Sequence, residues 1–447
     1  MHALSVSHIS SFMLLRTVAC ARVQYCARNS LLQRNSPPRV LARAASSSQP
    51  KEASFIARLP TVTDGKWDSA DAQAVDIALQ DAERIARLGV KAGVNASEVL
   101  LGQRPSDLEA LAIETGQPKY RAKQLTDAIY RKGVRTIDEI NNIPKAWKQA
   151  LAERGVTVGR SELHHKVVSS CGTIKYLLKL HDGYVVETVG IPENDGNRLT
   201  VCVSSEVGCP MRCTFCATGK GGFARNLMPH EIVDQVLLVQ EQFGKRVTNI
   251  VFMGMGEPLL NVPSVMRAHE ILNTEVGIGA RHITISTVGV PNAIMRLASY
   301  DTQSTLAVSI HAPNQKLRES IVPSAKAYPL RALMADCAGY FEATGRRVTF
   351  EYCLLAGEND GLEHAQELAD LLRKHGNMRS HVNLIPWNPV DESEFKRPSK
   401  NSVRRFIGVL EKAGIRCSVR VTRGLEAAAA CGQLRNAYQK VPIGPNE

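Results

Sequence analysis

Short apolar runs alternate with longer amphipathic stretches between about residue 199 and residue 422. The apolar runs predict strands at Leu199–Ser205, Asn249–Met255, His282–Val288, Thr305–His311, Val348–Leu355, His381–Trp387 and Arg416–Thr422. The amphipathic stretches predict helices that include Pro229–Phe243, Val262–Leu272, Leu330–Thr344 and Leu362–Lys374. Strands that alternate with helices at this spacing are typical of parallel sheets with crossover helices. The sequence therefore predicts an α/β fold built on a partial (β/α)6 barrel.

Shorter helical patterns precede the barrel, from about residue 99 to residue 165. Two pairs match the capping box, in which two side chains bond to free backbone N–H groups at a helix start: Ser106 with Glu109, and Thr136 with Glu139. Further helices are predicted at Arg121–Lys132 and Pro144–Arg154. We therefore expect three or four short helices here.

A β-hairpin is predicted between residues 166 and 198. Gly172–Leu180 and Tyr184–Ile191 alternate in the manner of strands, and His181-Asp182-Gly183 between them is typical of a turn.

The first 50 residues have the composition of a targeting segment. They contain six arginines, no Asp and no Glu, and they are rich in Ser and Ala. This composition predicts a transit peptide, with the chloroplast as the expected destination and the mitochondrion as the alternative. Residues 51–98 predict a linker with one helix at Ser69–Arg87.

The formal net charge of +12 suits a polyanionic substrate. Apolar runs are shorter than the roughly 18 to 20 residues of a membrane span, so no membrane partner is expected. The eleven cysteines follow no secretory pattern, which favours metal or redox chemistry over a disulfide scaffold.

Cys209, Cys213 and Cys216 lie in the run Cys-Pro-Met-Arg-Cys-Thr-Phe-Cys. Three thiolates at this spacing fit three corners of a cubane iron–sulfur cluster, which leaves the fourth iron open. An open iron can chelate S-adenosylmethionine (SAM), and an electron from the cluster then cleaves the sulfonium bond to give a deoxyadenosyl radical. The alternatives are a zinc site, which needs a fourth ligand, and three structural cysteines.

Polar groups follow several predicted strands, where barrel active sites are built. Gly256 and Glu257 lie in Met-Gly-Met-Gly-Glu-Pro, and a carboxylate here can bind the amino group of SAM. Ser286 and His311 lie near the carboxyl ends of two other predicted strands, and Asn388 follows a third. Taken alone, His311 could be a structural histidine and Gly256 a simple turn.

Two further thiols lie near the predicted centre. Cys202 is on the first barrel strand, and Cys431 follows the last strand in Ala-Cys-Gly-Gln-Leu. Cys431 is an unusual core residue in this setting, which favours a second catalytic role for a thiol. The other cysteines downstream of residue 170 are interpreted as small packing residues: Cys171, Cys337, Cys353 and Cys417.

Basic and aromatic residues are interleaved from Lys119 to Gln124, and more of them follow at Tyr130, Arg131, Lys132 and Arg135. Such a face can bind phosphates and stack on unpaired bases. It is equally typical of an ordinary solvated helix.

Five motifs together resemble the RlmN/Cfr family of radical-SAM rRNA methyltransferases, over about Val99–Leu434. They are the three-cysteine run with Gly222–Leu227, Met253–Asn261, Ser-Ile-His-Ala-Pro from Ser309, Asn-Leu-Ile-Pro-Trp-Asn-Pro from Asn383, and Cys-Gly-Gln-Leu from Cys431. The resemblance implies methylation of adenosine at carbon 2 in large-subunit rRNA and, in some members, in tRNA.

The resemblance also implies the cofactors and the residue roles. Cys209, Cys213 and Cys216 would hold a [4Fe-4S] cluster, and each turnover would use two SAM molecules. Cys431 would carry the methyl group and form a thioether with the RNA, Cys202 would release the product through a transient disulfide, and Glu187 would accept a proton. The implied SAM-binding residues are Gly256, Glu257, Ser286, Ser309, Ile310, His311 and Asn388. An electron donor such as ferredoxin or flavodoxin is expected.

On this basis the chain divides into six segments: a transit peptide (1–50), a linker with a helix (51–98), a helical RNA-binding accessory domain (99–165), a β-hairpin (166–198), a radical-SAM barrel with the catalytic-cysteine segment (199–434) and a tail (435–447). Between Gly424 and Cys431 the run Leu-Glu-Ala-Ala-Ala-Ala departs from the acidic pattern of the family, which predicts a stiffer loop. Three alternative functions remain: carbon-8 methylation, a radical-SAM reaction on a substrate other than RNA, and RNA binding without catalysis.

Overall fold

A computed structural model of the chain describes residues 99–193, 196–391 and 393–435. The transit peptide predicted for residues 1–50, the linker and helix predicted for residues 51–98, and the tail beyond residue 435 lie outside the described residues.

A ten-stranded mixed sheet forms the centre of the fold, and its strands lie in the order β1-β2-β3-β4-β7-β8-β9-β10-β11-β12. Its strands are β1 (Glu162–Val168), β2 (Ile174–Lys179), β3 (Val185–Pro192), β4 (Leu199–Cys202), β7 (Asn249–Phe252), β8 (Ile283–Thr287), β9 (Thr305–Ser309), β10 (Val348–Leu354), β11 (Ser380–Pro386) and β12 (Cys417–Val419); β5 (Glu206–Gly208) and β6 (Phe223–Asn226) form a separate ribbon. From β4 to β12 all neighbouring strands are parallel. Within the described residues the order is linear, so the parallel part is an incomplete barrel, and the α/β fold class is confirmed.

The helices are α1 (Pro105–Glu114), α2 (Tyr120–Thr126), α3 (Lys145–Glu153), α4 (Ala217–Lys220), α5 (Pro229–Phe243), α6 (Val262–Thr274), α7 (Ala293–Ala298), α8 (Gln315–Ile321), α9 (Leu330–Thr344), α10 (Leu362–Lys374) and α11 (Lys400–Lys412). The four barrel helices predicted from periodicity are confirmed as α5, α6, α9 and α10. None of the helices in the described part of the chain is long and apolar enough to cross a membrane.

The predicted hairpin is confirmed as β2 and β3, which pair from Ile174↔Gly190 to Lys179↔Val185. The added edge strand β1 was not predicted, because its sequence Glu-Leu-His-His-Lys-Val-Val does not alternate and most of its side chains are exposed. On β2, Tyr176 packs against Phe243 of α5, so this helix covers one face of the hairpin.

Both capping-box predictions are wrong. Helix α1 begins at Pro105, two residues earlier than a cap at Ser106 predicts, and its N3 residue Asp107 accepts a hydrogen bond from the Arg104 N–H at 2.9 Å. Proline is preorganised for the first helical position, which moves the cap to Arg104. At Thr136 the structure has a turn instead of a helix, and Glu139 accepts the Arg135 N–H at 2.8 Å.

The predicted basic face is smaller than the sequence indicates. Helix α2 continues into a π-helical turn, Asp127–Arg131, which buries Tyr130. The hydroxyl of Tyr130 donates to the Gln103 carbonyl at 2.7 Å and accepts the Gly102 N–H at 3.0 Å. Arg135 is held by the Ser161 carbonyl at 2.6 Å. Neither side chain is therefore available for stacking on a base.

Candidate active site

The three-cysteine loop leaves the β5–β6 ribbon at a glycine, Gly208. Strand β5 ends at Gly208, and Cys209 donates its N–H to the Gly222 carbonyl across the β5–β6 ribbon at 2.7 Å. Gly208 has φ of +82°, and a Cβ atom there would lie 2.0 Å from the Gly222 oxygen. Only glycine fits this position, so the local sequence fixes how the loop leaves the ribbon.

Cys209, Cys213 and Cys216 line one cavity of about 150 Å³, the cluster cavity. Burial raises the pKa of the Cys209 and Cys213 thiols, and neighbouring thiols raise it further. Metal binding must therefore displace protons from these thiols. The cavity continues past the thiols to Ser286 and Ser309 at the ends of neighbouring strands. This continuation fits a cluster with one open corner better than a closed four-ligand zinc site.

Glu257 lines the same cavity, but both of its oxygens already accept backbone N–H groups. Oε1 accepts from Leu259 at 3.0 Å, and Oε2 accepts from Val288 at 2.8 Å. Burial raises the pKa of Glu257 to about 7, although these two hydrogen bonds lower it. The carboxylate thus ties the loop after β7 to the end of β8, and an ammonium group would have to use its remaining lone pairs.

Only glycine fits at position 256, because the backbone there lies very close to Glu206. Its φ is +105°, and a Cβ atom there would lie 2.6 Å from Cβ of Glu206. Glu206 is fully buried; its Oε2 accepts the Glu257 N–H at 2.8 Å, and its Oε1 has no hydrogen-bond partner in the described residues. Burial raises the pKa of Glu206 well above its usual value.

His311 also lines the cluster cavity. Its Nδ1 accepts the Cys353 N–H at 3.0 Å, and its ring packs edge-on against Phe215. Burial, with the Arg318 charge, lowers the pKa of His311 to about 3. The ring is therefore neutral, and the hydrogen bond accepted at Nδ1 assigns the proton to Nε2. His311 can thus donate to a ligand from Nε2.

Ile310 does not line either cavity of the candidate site. Its side chain is buried in the core, and its carbonyl accepts the Arg318 Nε–H at 3.2 Å. Any contact of Ile310 with a ligand would have to use its backbone.

The Cys431 segment, residues 424–435, is hydrogen-bonded to the helix that follows the three-cysteine loop and to the residues after β11. Ala217 donates its N–H to the Gly432 carbonyl at 2.8 Å, and Thr218 donates its hydroxyl to the Leu434 carbonyl at 2.6 Å. Asn388 donates from Nδ2 to the Cys431 carbonyl at 3.0 Å. The Asn388 amide therefore positions Cys431. Asn388 also lines the same cavity as the three cysteines, and its role in SAM binding stays a prediction.

Cys431 stands where two cavities meet. It lines the cluster cavity and also a larger cavity of about 410 Å³, the outer cavity, which is lined by Cys202, Glu351, Asn383 and Arg420. Burial raises the pKa of Cys202 to about 12, and the nearby Cys431 adds to this. Burial also raises the pKa of Cys431, while the Arg420 charge lowers it. The two thiols, both reduced, thus share one cavity with a cation.

Glu187 lies on β3, outside the linings of both cavities, and is almost completely buried. Its Oε1 pairs with Lys175 Nζ at 3.1 Å, and its Oε2 has no hydrogen-bond partner in the described residues. Burial raises the pKa of Glu187 to about 7, against the lowering effect of Lys175. The structure therefore places a titratable carboxyl beside the site and not on its surface.

Several residues of the site were not predicted. Arg318 is buried and donates to the Val288 and Ile310 carbonyls at 2.5 and 3.2 Å, which joins the ends of β8 and β9. Arg420 follows β12 and enters the larger cavity. The available signal for Arg420 was a charged residue within the last predicted strand, Arg416–Thr422. For Arg318, on a short helix with ordinary polar neighbours, the sequence carries no such signal.

Two family models match the chain. The Radical SAM superfamily matches residues 203–372, and the ribosomal RNA large subunit methyltransferase N-terminal domain matches residues 99–156. The first match covers the cysteine loop and most of the parallel strands.

Bacterial relatives are similar over most of their length. The chain is 56% identical over 339 residues to a probable dual-specificity RNA methyltransferase RlmN from Thermosynechococcus vestitus, covering 76% of this chain and 98% of the relative. It is 56% identical to the same-named protein from Gloeobacter violaceus, covering 75% and 94%. A crystal structure of a radical SAM methyltransferase from Sphaerobacter thermophilus aligns with a TM-score of 0.72 and 44% identity, covering 75% of this chain and 99% of that one.

Replacing Cys213 with alanine should abolish assembly of a stable cubane cluster, because one of three thiolate ligands is lost. The matched control is Cys353→Ala, since Cys353 is a buried thiol that lines the same cavity but lies outside the three-cysteine loop. Iron and sulfide content and visible absorbance after anaerobic reconstitution provide the measurement. Equal loss of iron in both variants would contradict the ligand assignment.

Proposed function

Because the chain belongs to the RlmN family of radical-SAM RNA methyltransferases, we propose that it makes 2-methyladenosine in large-subunit rRNA of an organelle, with tRNA as a second substrate. The family match supports SAM-dependent RNA methylation as the general reaction. The name of the relatives, dual-specificity RNA methyltransferase, supports two kinds of RNA substrate.

The position of Cys431 carries the proposal. A thiol that lines both the cluster cavity and the outer cavity can reach a methyl donor on one side and an RNA base on the other. Carbon 2 of adenine is electron-poor, so direct transfer of the electrophilic methyl group of SAM does not occur there. A thiol between the two cavities can take the methyl group from SAM and deliver its carbon to the base by a different reaction.

Cys209, Cys213 and Cys216 would hold the [4Fe-4S] cluster, and Gly256, Glu257, Ser286, Ser309, Ile310, His311 and Asn388 are the proposed surroundings of SAM. When bound, the cluster and SAM supply one-electron cleavage of a sulfonium bond and thereby the removal of a hydrogen atom. The Cys431 thiolate would first take a methyl group from one SAM, with S-adenosylhomocysteine as the leaving group. It would then present the S-methyl group so that one hydrogen atom can be removed from it. Cys431 then holds that carbon as it bonds to carbon 2 of the base, which gives a protein–RNA thioether.

Cys202 and Glu187 would complete the reaction. Glu187 would accept the proton lost from carbon 2, and the one unpaired electron left on the base by the radical addition would return to the cluster, which serves as its one-electron acceptor. The Cys202 thiolate attacks the Cys431 sulfur, so an S–S bond forms and the S–C bond breaks. The electron pair of that bond stays with the released carbon, which takes up a proton. The Arg420 charge in the same cavity favours the thiolate form of both cysteines against the effect of burial.

The helical region before the sheet is the proposed RNA grip. Lys119, just before α2, and Tyr120 and Lys123 on α2 are exposed, and the Arg121 guanidinium lies over the Tyr120 ring at 5.0 Å. Arg131 and Lys132 extend the exposed basic surface. Ammonium and guanidinium groups bind backbone phosphates, and an exposed ring can stack on an unpaired base.

A plastid is the proposed compartment, with the mitochondrion as the alternative. The acid-free, arginine-containing first 50 residues support import, and the cyanobacterial origin of several relatives supports the plastid. Ferredoxin or flavodoxin would then donate the electrons.

Nucleoside mass spectrometry of organellar large-subunit rRNA tests the function, after incubation with reconstituted protein, SAM and reductant. Wild type should yield 2-methyladenosine, Cys431→Ala should yield none, and Cys202→Ala should accumulate a covalent protein–RNA adduct. A product that matches the 8-methyladenosine standard would replace the carbon-2 assignment. SAM cleavage without any modified rRNA or tRNA would contradict the RNA substrate.

The rate of methylation should rise with pH through about 7, because Glu187 accepts a proton only in its deprotonated form and its pKa is raised to about 7 by burial. Below that pH, the single-turnover rate should fall about tenfold per pH unit. Glu187→Gln should remove this limb together with most of the activity. A flat profile between pH 6 and about 8 in wild type would contradict the role of Glu187.

A further inference from the structure

Lys175 on β2 is a buried lysine with two partners that belong to different parts of the site. It is 7% exposed, and its Nζ lies 3.1 Å from Glu187 Oε1 and 3.2 Å from the carbonyl oxygen of Ala428. Lysine is rarely buried unless its charge is paired. Here the pair links the proposed proton acceptor to the segment that leads to Cys431.

The strand register fixes this arrangement. Leu177 pairs with Glu187 across β2 and β3, and Lys175 lies two residues before Leu177. Alternate residues of a strand share a face, so Lys175 and Glu187 are diagonal neighbours on the same side of the hairpin. Tyr176 points to the opposite side, where α5 packs. The C-terminal segment therefore covers the face that carries the ion pair.

Several hydrogen bonds join the Cys431 segment to the hairpin and to the turn before it. Lys175 binds the Ala428 carbonyl, Ser170 donates its N–H to Glu426 Oε1 at 2.9 Å, and Gly424 donates its N–H to Cys171 Sγ at 3.3 Å. Ala428 has φ of +46°, a left-handed conformation that costs energy for alanine. Such a conformation persists only where surrounding contacts hold it.

We propose that Lys175 is a positioning residue that orients the Glu187 carboxylate and anchors the segment carrying Cys431 above it. Glu187 is covered by this segment, since a backbone N–H of Arg435 also reaches the carboxylate. Displacement of the segment would thus break the Lys175–Ala428 contact and uncover Glu187 in one movement. The part of the inference that concerns proton acceptance rests on the proposed function; the anchoring does not.

The Lys175 charge also sets the titration of Glu187. Lys175 from β2 and the Arg435 N–H from the C-terminal segment both lower the pKa of Glu187, against burial, which raises it. Removing the Lys175 charge removes one of the effects that lower the pKa of Glu187, so that pKa should rise. The limb of the pH–rate profile that rises with pH should move in the same direction.

The experiment compares Lys175→Met and Lys175→Arg with Lys179→Met in the full-length holoenzyme. Lys179 is the other lysine of β2, but it is exposed and pairs only loosely with Glu162, at 3.7 Å. Labelling of Cys431 by iodoacetamide, followed by peptide mass spectrometry, should accelerate roughly three- to tenfold in Lys175→Met through loss of the anchor. Lys179→Met should label at the wild-type rate, and Lys175→Arg close to it.

In Lys175→Met, the part of the pH–rate profile that rises with pH should move to higher pH. In the other two variants it should stay where it is in wild type. Should Lys175→Met fold poorly, Lys175→Met combined with Glu187→Gln removes both charges of the buried pair, and faster labelling of Cys431 is still expected. Wild-type labelling in the well-folded variant would overturn the anchoring, whatever the RNA assay gives. An unshifted limb in an active Lys175→Met enzyme would overturn the effect on Glu187. If wild type modifies no RNA, the proposed function fails, and the labelling still decides the role of Lys175.

Discussion

The hydrogen bonds that fix the Cys431 segment are the constraint on which the rest of the site depends. Ala217 follows directly on the cysteine loop and binds the Gly432 carbonyl, while Asn388, from the end of β11, binds the Cys431 carbonyl. The partners come from distant parts of the chain, so the segment is placed correctly only once the sheet has formed. Its thiol then stands between the cluster cavity and the outer cavity, which the proposed transfer of a methyl group requires.

Burial disfavours the charged forms of the groups that react at this site. It raises the pKa of Cys202 to about 12 and that of Glu187 to about 7, so the reactive forms of both groups are disfavoured by their surroundings. Two cations oppose the effect, Arg420 beside the thiols and Lys175 beside the carboxylate. A low dielectric strengthens each of these interactions and penalises any group left without its partner. The cations are therefore as important to the proposed chemistry as the groups that react.

The sequence predicts what is local in this protein. Apolar runs identify the parallel strands, and the three-cysteine run lies on one loop that leaves a ribbon through Gly208. Patterns that depend on distant partners mislead or carry no signal. Tyr130 lies in a basic stretch yet is buried by the π-helical turn, Thr136 matches a capping box yet begins no helix, and Lys175 resembles an ordinary strand lysine. Asn388 was recognised as a site residue, but its amide binds the Cys431 backbone, which only the folded structure shows.

The central claim is that Cys431 carries the methyl group, and peptide mass spectrometry of the protein tests it most directly. Reconstituted enzyme incubated with isotopically labelled SAM and reductant, without RNA, should carry one labelled methyl group on the peptide that contains Cys431 and none on the peptide that contains Cys202. Label on Cys202, or on neither cysteine in a protein that still methylates RNA, would contradict the claim.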